Sequence, residues 1–98
     1  MDMAIRIKGF LQIRTAMGGS GELELELPGS TLQEVVFEVC DRYGEALRKL
    51  VMDAETGTIR SDYVILINGR HYRTLPRGLD SEVCDGDFVA IFPPMAGG

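Results

Sequence analysis

The stretch that decides the fold runs from Glu22 to Leu50, ELELELPGSTLQEVVFEVCDRYGEALRKL, because its apolar period changes part-way along. Leu23, Leu25 and Leu27 alternate with Glu22, Glu24 and Glu26, the period of two that marks a strand with one wet face. Pro28-Gly29 closes that strand, and Ser30 with Gln33 three positions on has the spacing of a capping box at a helix start. Beyond it Leu32, Val35, Val36, Val39, Tyr43, Leu47 and Leu50 recur at steps of three and four, which lines one helical face with apolar side chains. Glu34, Glu38, Asp41 and Arg42 fall on the other face. Gly44 is expected to end or bend the helix, leaving Glu45–Val51 as a further turn or two.

Upstream, Ile5, Ile7, Leu11 and Ile13 alternate with Arg6, Lys8, Gln12 and Arg14, which predicts a first strand over Ile5–Ile13. Gly9 interrupts its buried face and Phe10 sits on the polar one. The run Met17-Gly18-Gly19-Ser20-Gly21 then reads as the turn of a hairpin. It does not read as a phosphate cradle, because a strand follows it where a helix N-terminus would be needed.

Downstream, Met52–Asp62 is polar and aperiodic and reads as a loop. Tyr63–Ile67 is a continuous apolar run bounded by Asn68-Gly69, a tight-turn signal, with His71–Leu75 returning as a short strand. Pro76–Val83 reads as loop with one tight helical turn near Leu79. Asp85-Gly86 turns the chain into a last strand, Asp87–Phe92. The expected architecture is α+β, one main amphipathic helix on one face of a mixed four- or five-stranded sheet. That order of elements looks like a ubiquitin-like β-grasp over residues 1–92, followed by a C-terminal tail, 93–98.

Composition bounds the chemistry. The chain has 98 residues with ten Lys and Arg, fifteen Asp and Glu, one His, two Cys and no Trp. That is one domain's worth of chain, and at 45% hydrophobic residues it has enough apolar material for a core. A net charge of −5 argues against nucleic acid, whose phosphates demand a basic face, and gives no basis for membrane binding. The charge is uneven: residues 1–20 carry +2, 21–62 carry −6 and 63–98 carry −1, so the middle of the chain would steer a basic protein partner. There is no run of roughly 20 apolar residues and no signal-peptide pattern, so the expected location is cytoplasmic.

Catalytic side chains are scarce. The single imidazole, His71, stands on a short strand after a turn, where an exposed side chain is the simpler reading than a base. No spacing of Cys and His suits a metal, and two cysteines cannot supply the four thiolates of a plant-type iron–sulfur cluster. Cys40 lies mid-helix beside Val39 and reads as a small buried residue, while Cys84 precedes Asp85-Gly86 and is no better a nucleophile. Glu22, Glu24 and Glu26 read as a solvated face.

The C-terminus departs from ordinary domain padding. After the last strand the chain reads Pro93-Pro94-Met95-Ala96-Gly97-Gly98. Two prolines should hold the exit extended and away from the sheet. Six residues reach about 20 Å at roughly 3.3 Å each. Gly97 and Gly98 minimise width, which suits threading through a narrow channel with the terminal carboxylate of Gly98 unhindered.

With Asp85-Gly86-Asp87-Phe88-Val89-Ala90-Ile91-Phe92-Pro93-Pro94-Met95-Ala96-Gly97-Gly98 and the preceding Ile67-Asn68-Gly69-Arg70, the sequence resembles the ubiquitin-like sulfur carriers. Within them it most resembles the small subunit of molybdopterin synthase. The resemblance implies a non-catalytic carrier with no cofactor of its own. A ubiquitin-activating-enzyme-like adenylyltransferase, binding ATP and Mg²⁺, would adenylate Gly98, and a persulfide donor would convert it to a thiocarboxylate. The tail, Pro93 to Gly97, would then thread into the large catalytic subunit of molybdopterin synthase, where the sulfur builds the pterin dithiolene.

On a β-grasp with Val89 and Ile91 facing the helix, Phe88, Ala90 and Phe92 face outwards, beside Phe10 if the first and last strands are neighbours. Phe10, Phe88 and Phe92 are therefore expected to form a docking patch. A terminal Gly-Gly is also shared by protein modifiers and by thiamine-pathway and transfer-RNA-thiolation carriers. A reading from a different class is a passive β-grasp interaction domain that never uses its carboxylate.

Overall fold

The computed structural model describes residues 3–27 and 29–94. Strands β1 (Met3–Gly9) and β2 (Glu22–Leu27) are antiparallel, with Ile5 opposite Leu25 and Arg6 opposite Glu24. They are joined through a short helix, α1 (Gln12–Ala16). Then come β3 (Ser30–Thr31), α2 (Leu32–Tyr43) and α3 (Glu45–Val51). The chain returns as β4 (Val64–Ile67), β5 (Arg70–His71), β6 (Glu82–Val83) and β7 (Phe88–Phe92). The main sheet has the order β2-β1-β7-β4-β5, while β3 and β6 pair apart from it. At its centre β1 and β7 run parallel, with Ile7 opposite Val89 and Gly9 opposite Ile91. This is a mixed five-stranded sheet with helices, an α+β β-grasp.

Period-two sorting explains the sheet. Ile5, Ile7, Leu25, Ile65, Ile67, Val89 and Ile91 form one core with Leu32, Val35, Val36 and Val39 of α2. Glu22, Glu24 and Glu26 lie exposed on the opposite face. Cys40 and Leu47 are also buried, which extends the apolar helical face past Gly44. Gly44 breaks the helix with a φ of 90°, a conformation open to residues without a Cβ, and its N–H still donates to the Cys40 carbonyl at 2.8 Å.

Several local expectations change, among them the loop reading of Pro76–Val83, since Glu82–Val83 is a strand paired with Ser30–Thr31. The first strand stops at Gly9 and does not reach Ile13, because Leu11 turns the chain and Ile13 and Met17, four apart, bury one side of α1 in the core. Gly9 permits that return, since a Cβ there would stand 2.6 Å from both Ile13 Cγ2 and Met17 Sδ. The predicted hairpin turn is thus a helical connection. The capping box forms one residue later than Ser30 and Gln33: Thr31 Oγ1 accepts the Glu34 N–H at 3.2 Å, and Glu34 Oε1 accepts the Thr31 N–H at 2.9 Å. Ser30 and Thr31 are drawn into extended pairing with Val83 and Glu82, a long-range contact that fixes where the helix begins.

His71–Leu75 is a strand for Arg70–His71 only. Thereafter Tyr72–Thr74 forms a tight helical turn capped by His71, whose Nδ1 accepts the Arg73 N–H at 3.1 Å, with Tyr72 buried. The imidazole is thus a turn cap. The last correction is at the exit: Pro93 is buried against the domain, so the departure from the sheet begins at Pro94, which is exposed. A second tight turn, Gly78–Asp80, stands where Leu79 was expected to mark one.

Candidate functional site

The face of the sheet that carries no helix is built by alternation. With Val89 and Ile91 buried, Phe88, Ala90 and Phe92 of β7 must point to the other side. Register then places Val64 opposite Phe92 and Leu66 opposite Ala90 on β4, and Arg6 opposite Phe88 and Lys8 opposite Ala90 on β1. Phe10 continues β1, its N–H donating to the Ile91 carbonyl at 3.1 Å. Its ring stacks on that of Phe92, with centroids 4.2 Å apart and an interplanar angle of 6°. The result is an apolar strip of Phe88, Ala90, Phe92, Phe10, Val64 and Leu66 through the middle of the sheet.

A charged margin borders this strip. Arg6 and Lys8 sit directly across from Glu24 and Glu22. Their cations nonetheless lie over aromatic rings, Arg6 at 5.6 Å from the Phe88 centroid and Lys8 at 5.3 Å from that of Phe10. Between these rows is an open hollow of about 240 Å³ lined by Arg6, Lys8, Glu22, Glu24 and Phe88. Across the face the order is therefore acidic, basic, aromatic, aliphatic.

Hydrogen bonds hold the start of β7 in place. The Asp87 carboxylate accepts the Asn68 side-chain amide at 2.8 Å and the Cys84 N–H at 2.7 Å, while Asn68 Oδ1 accepts the Phe88 N–H at 2.9 Å. Asp85 accepts the Ala4 N–H at 2.9 Å, tying the same turn to β1. The Asp-Gly-Asp motif and the Asn-Gly turn, with φ of 51° at Asn68 and 85° at Gly69, thus lock three strands together.

At the other end of β7 the chain leaves through Pro93 and Pro94, beside the Phe10–Phe92 stack. Met95, Ala96, Gly97 and Gly98 lie outside the described residues. Of the predicted docking residues, Phe10, Phe88 and Phe92 share one face, with Phe88 37% exposed and the stacked pair half-buried. Val64 and Leu66 complete it and were missed. Their signal was the unbroken apolar run Tyr63–Ile67, which marks a strand covered on both faces and not one with a wet side.

Cys40 is fully buried, and burial pushes its thiol up to about 11. Cys84 is exposed.

The sequence pattern of the ThiS family matches residues 7–98. The chain belongs to the ThiS family. That places it among the ubiquitin-like sulfur carriers and modifiers. A "Putative sulfur carrier protein" of Archaeoglobus fulgidus is 32% identical over 78 residues, 80% of this chain and 85% of that protein. Among solved structures, small archaeal modifier protein 1 of Methanosarcina acetivorans superposes with a TM-score of 0.84 at 28% identity, over 100% of this chain and 99% of the other. The "Putative molybdopterin converting factor, subunit 1" of Pyrococcus furiosus superposes with a TM-score of 0.70 at 30% identity, over 95% of this chain and 99% of the other. Among the described residues of this ThiS-family chain, no helix is long and apolar enough to cross a membrane.

Proposed function

We propose that this ThiS-family chain carries sulfur on the carboxylate of Gly98 and donates it to build the dithiolene of molybdopterin. The observation that carries the reading is the family match over residues 7–98, which takes in Gly97-Gly98 after the exit at Pro94. A free carboxylate is a poor electrophile. Attack of Gly98 on the α-phosphate of ATP, bound with Mg²⁺ by a ubiquitin-activating-enzyme-like partner, would release pyrophosphate and leave an acyl-adenylate. The outer sulfur of a persulfide donor then attacks the acyl carbon and displaces AMP, giving an acyl disulfide. A second thiol of the donor attacks the donor-side sulfur of that bond, forming a disulfide and releasing the Gly98 thiocarboxylate. This chain's own residues contribute docking: the aromatic strip of Phe10, Phe88 and Phe92 meets the partner while the tail enters its channel. In this reading the large subunit of molybdopterin synthase receives the tail and the pterin precursor accepts the sulfur, supported by the 30% identity to the Pyrococcus furiosus protein.

A second reading has its own support in the TM-score of 0.84 to an archaeal modifier. There the same adenylate is consumed by a lysine amine, leaving an isopeptide bond. Intact-mass measurement after incubation with the activating enzyme, ATP and a sulfur source tests the first reading: one oxygen of the chain is replaced by sulfur. Unchanged mass with an enzyme that activates another carrier overturns it. Glycine remnants on target lysines identify the second.

A further inference from the structure

Leu11 is a residue that folding alone disfavours at its position. Its φ of 57° and ψ of −125°, with the Ile13 N–H donating to the Phe10 carbonyl at 3.1 Å, are those of the first central position of a type II′ turn. Glycine dominates that position because a Cβ crowds the backbone there. Leu11 is also the N-cap of α1, where Ser, Thr, Asp or Asn would offer an acceptor and leucine offers none. Burial does not compensate, since the side chain is 57% exposed, more than any other large apolar side chain among the described residues. A strained backbone, an empty cap and an exposed isobutyl group together point to a use outside the folded chain.

Its place in the fold identifies the occupant. Leu11 follows Phe10, whose ring stacks on Phe92 at the last residue of β7, where the tail begins. The six residues from Pro93 to Gly98 reach no more than about 20 Å at roughly 3.3 Å each. A protein that reacts with the Gly98 carboxylate must therefore have its surface against the root of the tail. Carboxylate activation is the one step that the sulfur-carrier and modifier readings share, so the activating enzyme is the partner common to both.

We propose that Leu11 is an anchor for the ATP-dependent enzyme that activates Gly98, entering an apolar pocket of that enzyme beside the channel that takes the tail. The proposal rests on the reading of Gly98 as the reacting carboxylate.

The variants Leu11→Gly and Leu11→Asn test it, because both side chains suit a positive φ and neither supplies the anchor. Both should melt at or above the wild-type Tm. Their Kd for the activating enzyme, measured calorimetrically with a non-hydrolysable ATP analogue, should rise at least about tenfold, as expected for loss of a hot-spot side chain. The same gap should appear in a background lacking Gly97 and Gly98, where no chemistry occurs. Affinity within about twofold of wild type overturns the proposal. So does a Tm several degrees lower in both variants, which would make Leu11 a structural residue. A wild-type dimer that Leu11→Gly dissolves would give the side chain to a second copy and overturn it too. If the wild type binds through Leu11 but never releases pyrophosphate, the Gly98 reading falls and the anchor stands. If pyrophosphate is released equally by wild type and variants, the anchor falls and the Gly98 reading stands.

Discussion

Phe10 and Phe92 lie ring on ring, 4.2 Å between centroids, at the point where the first and last strands end side by side. Neither ring belongs to the core under the helices, so the stack forms on the face without helices. It joins the connection after β1 to the last residue of β7, just before Pro93 and Pro94.

This pair should couple in stability and in binding. Phe10→Ala and Phe92→Ala are each expected to weaken partner binding by about tenfold or more, as truncation of an aromatic anchor does. In urea unfolding, a double-mutant cycle should show a coupling of about 0.5–1.5 kcal/mol between them. Additive losses would show that the stack carries no energy of its own.

Asp87 should matter for folding more than its partly exposed position suggests. Its carboxylate holds both the Asn68 amide and the Cys84 N–H. Asp87→Ala is expected to cost about 1–3 kcal/mol by leaving those donors without a protein acceptor at the head of β7. Chemical denaturation measures it, and Asn68→Ala should remove much of the same energy, so the two losses should not add.

The helix start can be read by substitution. Thr31→Ala should destabilise by about 1 kcal/mol through loss of the cap to Glu34, whereas Gln33→Ala should stay within about 0.5 kcal/mol. Equal losses at the two positions would contradict the register found here.

The two thiols should separate by chemistry and by pH. At pH 8 an alkylating reagent is expected to label exposed Cys84 in the folded chain and to reach Cys40 only on unfolding. The Cys40 thiol is pushed by burial from 9.0 to about 11, so the folded state holds its proton more tightly than the unfolded chain does. The stability this confers is fully present below pH 9 and is lost as pH rises towards 11, where the unfolded state gives up its proton first. Denaturant midpoints should fall across that window, and Cys40→Ala should flatten the fall.

Much of the main helix and of the wet and dry faces of β2 was legible because each is a local periodicity. The ELELEL alternation, the three-and-four spacing from Leu32 and the Asn68-Gly69 turn need no distant partner to be read. The docking strip was half legible. Phe88 and Phe92 follow from alternation along β7, but Phe10 joins them only because β1 and β7 are parallel neighbours. Val64 and Leu66 join only because β4 flanks β7 on its other side.

What failed to read locally has one cause in each case. Ile13 fits a strand by period and a helix by its spacing to Met17, and the close approach that Gly9 allows decides for the helix. Ser30 and Thr31 offer rival capping boxes of the same length, and pairing with Glu82 and Val83, some fifty residues away, selects Thr31.

The sequence by itself determined the class of this chain, its apolar helix, its alternating strands and its Gly97-Gly98 pair, because those are properties of short windows and of composition. Only the tertiary structure decided which side chains share the face without helices, where the tail leaves the domain at Pro94, and that Leu11 stands strained and exposed beside that exit. Each of these depends on β1 lying parallel to β7, a pairing across some eighty residues that no local period encodes.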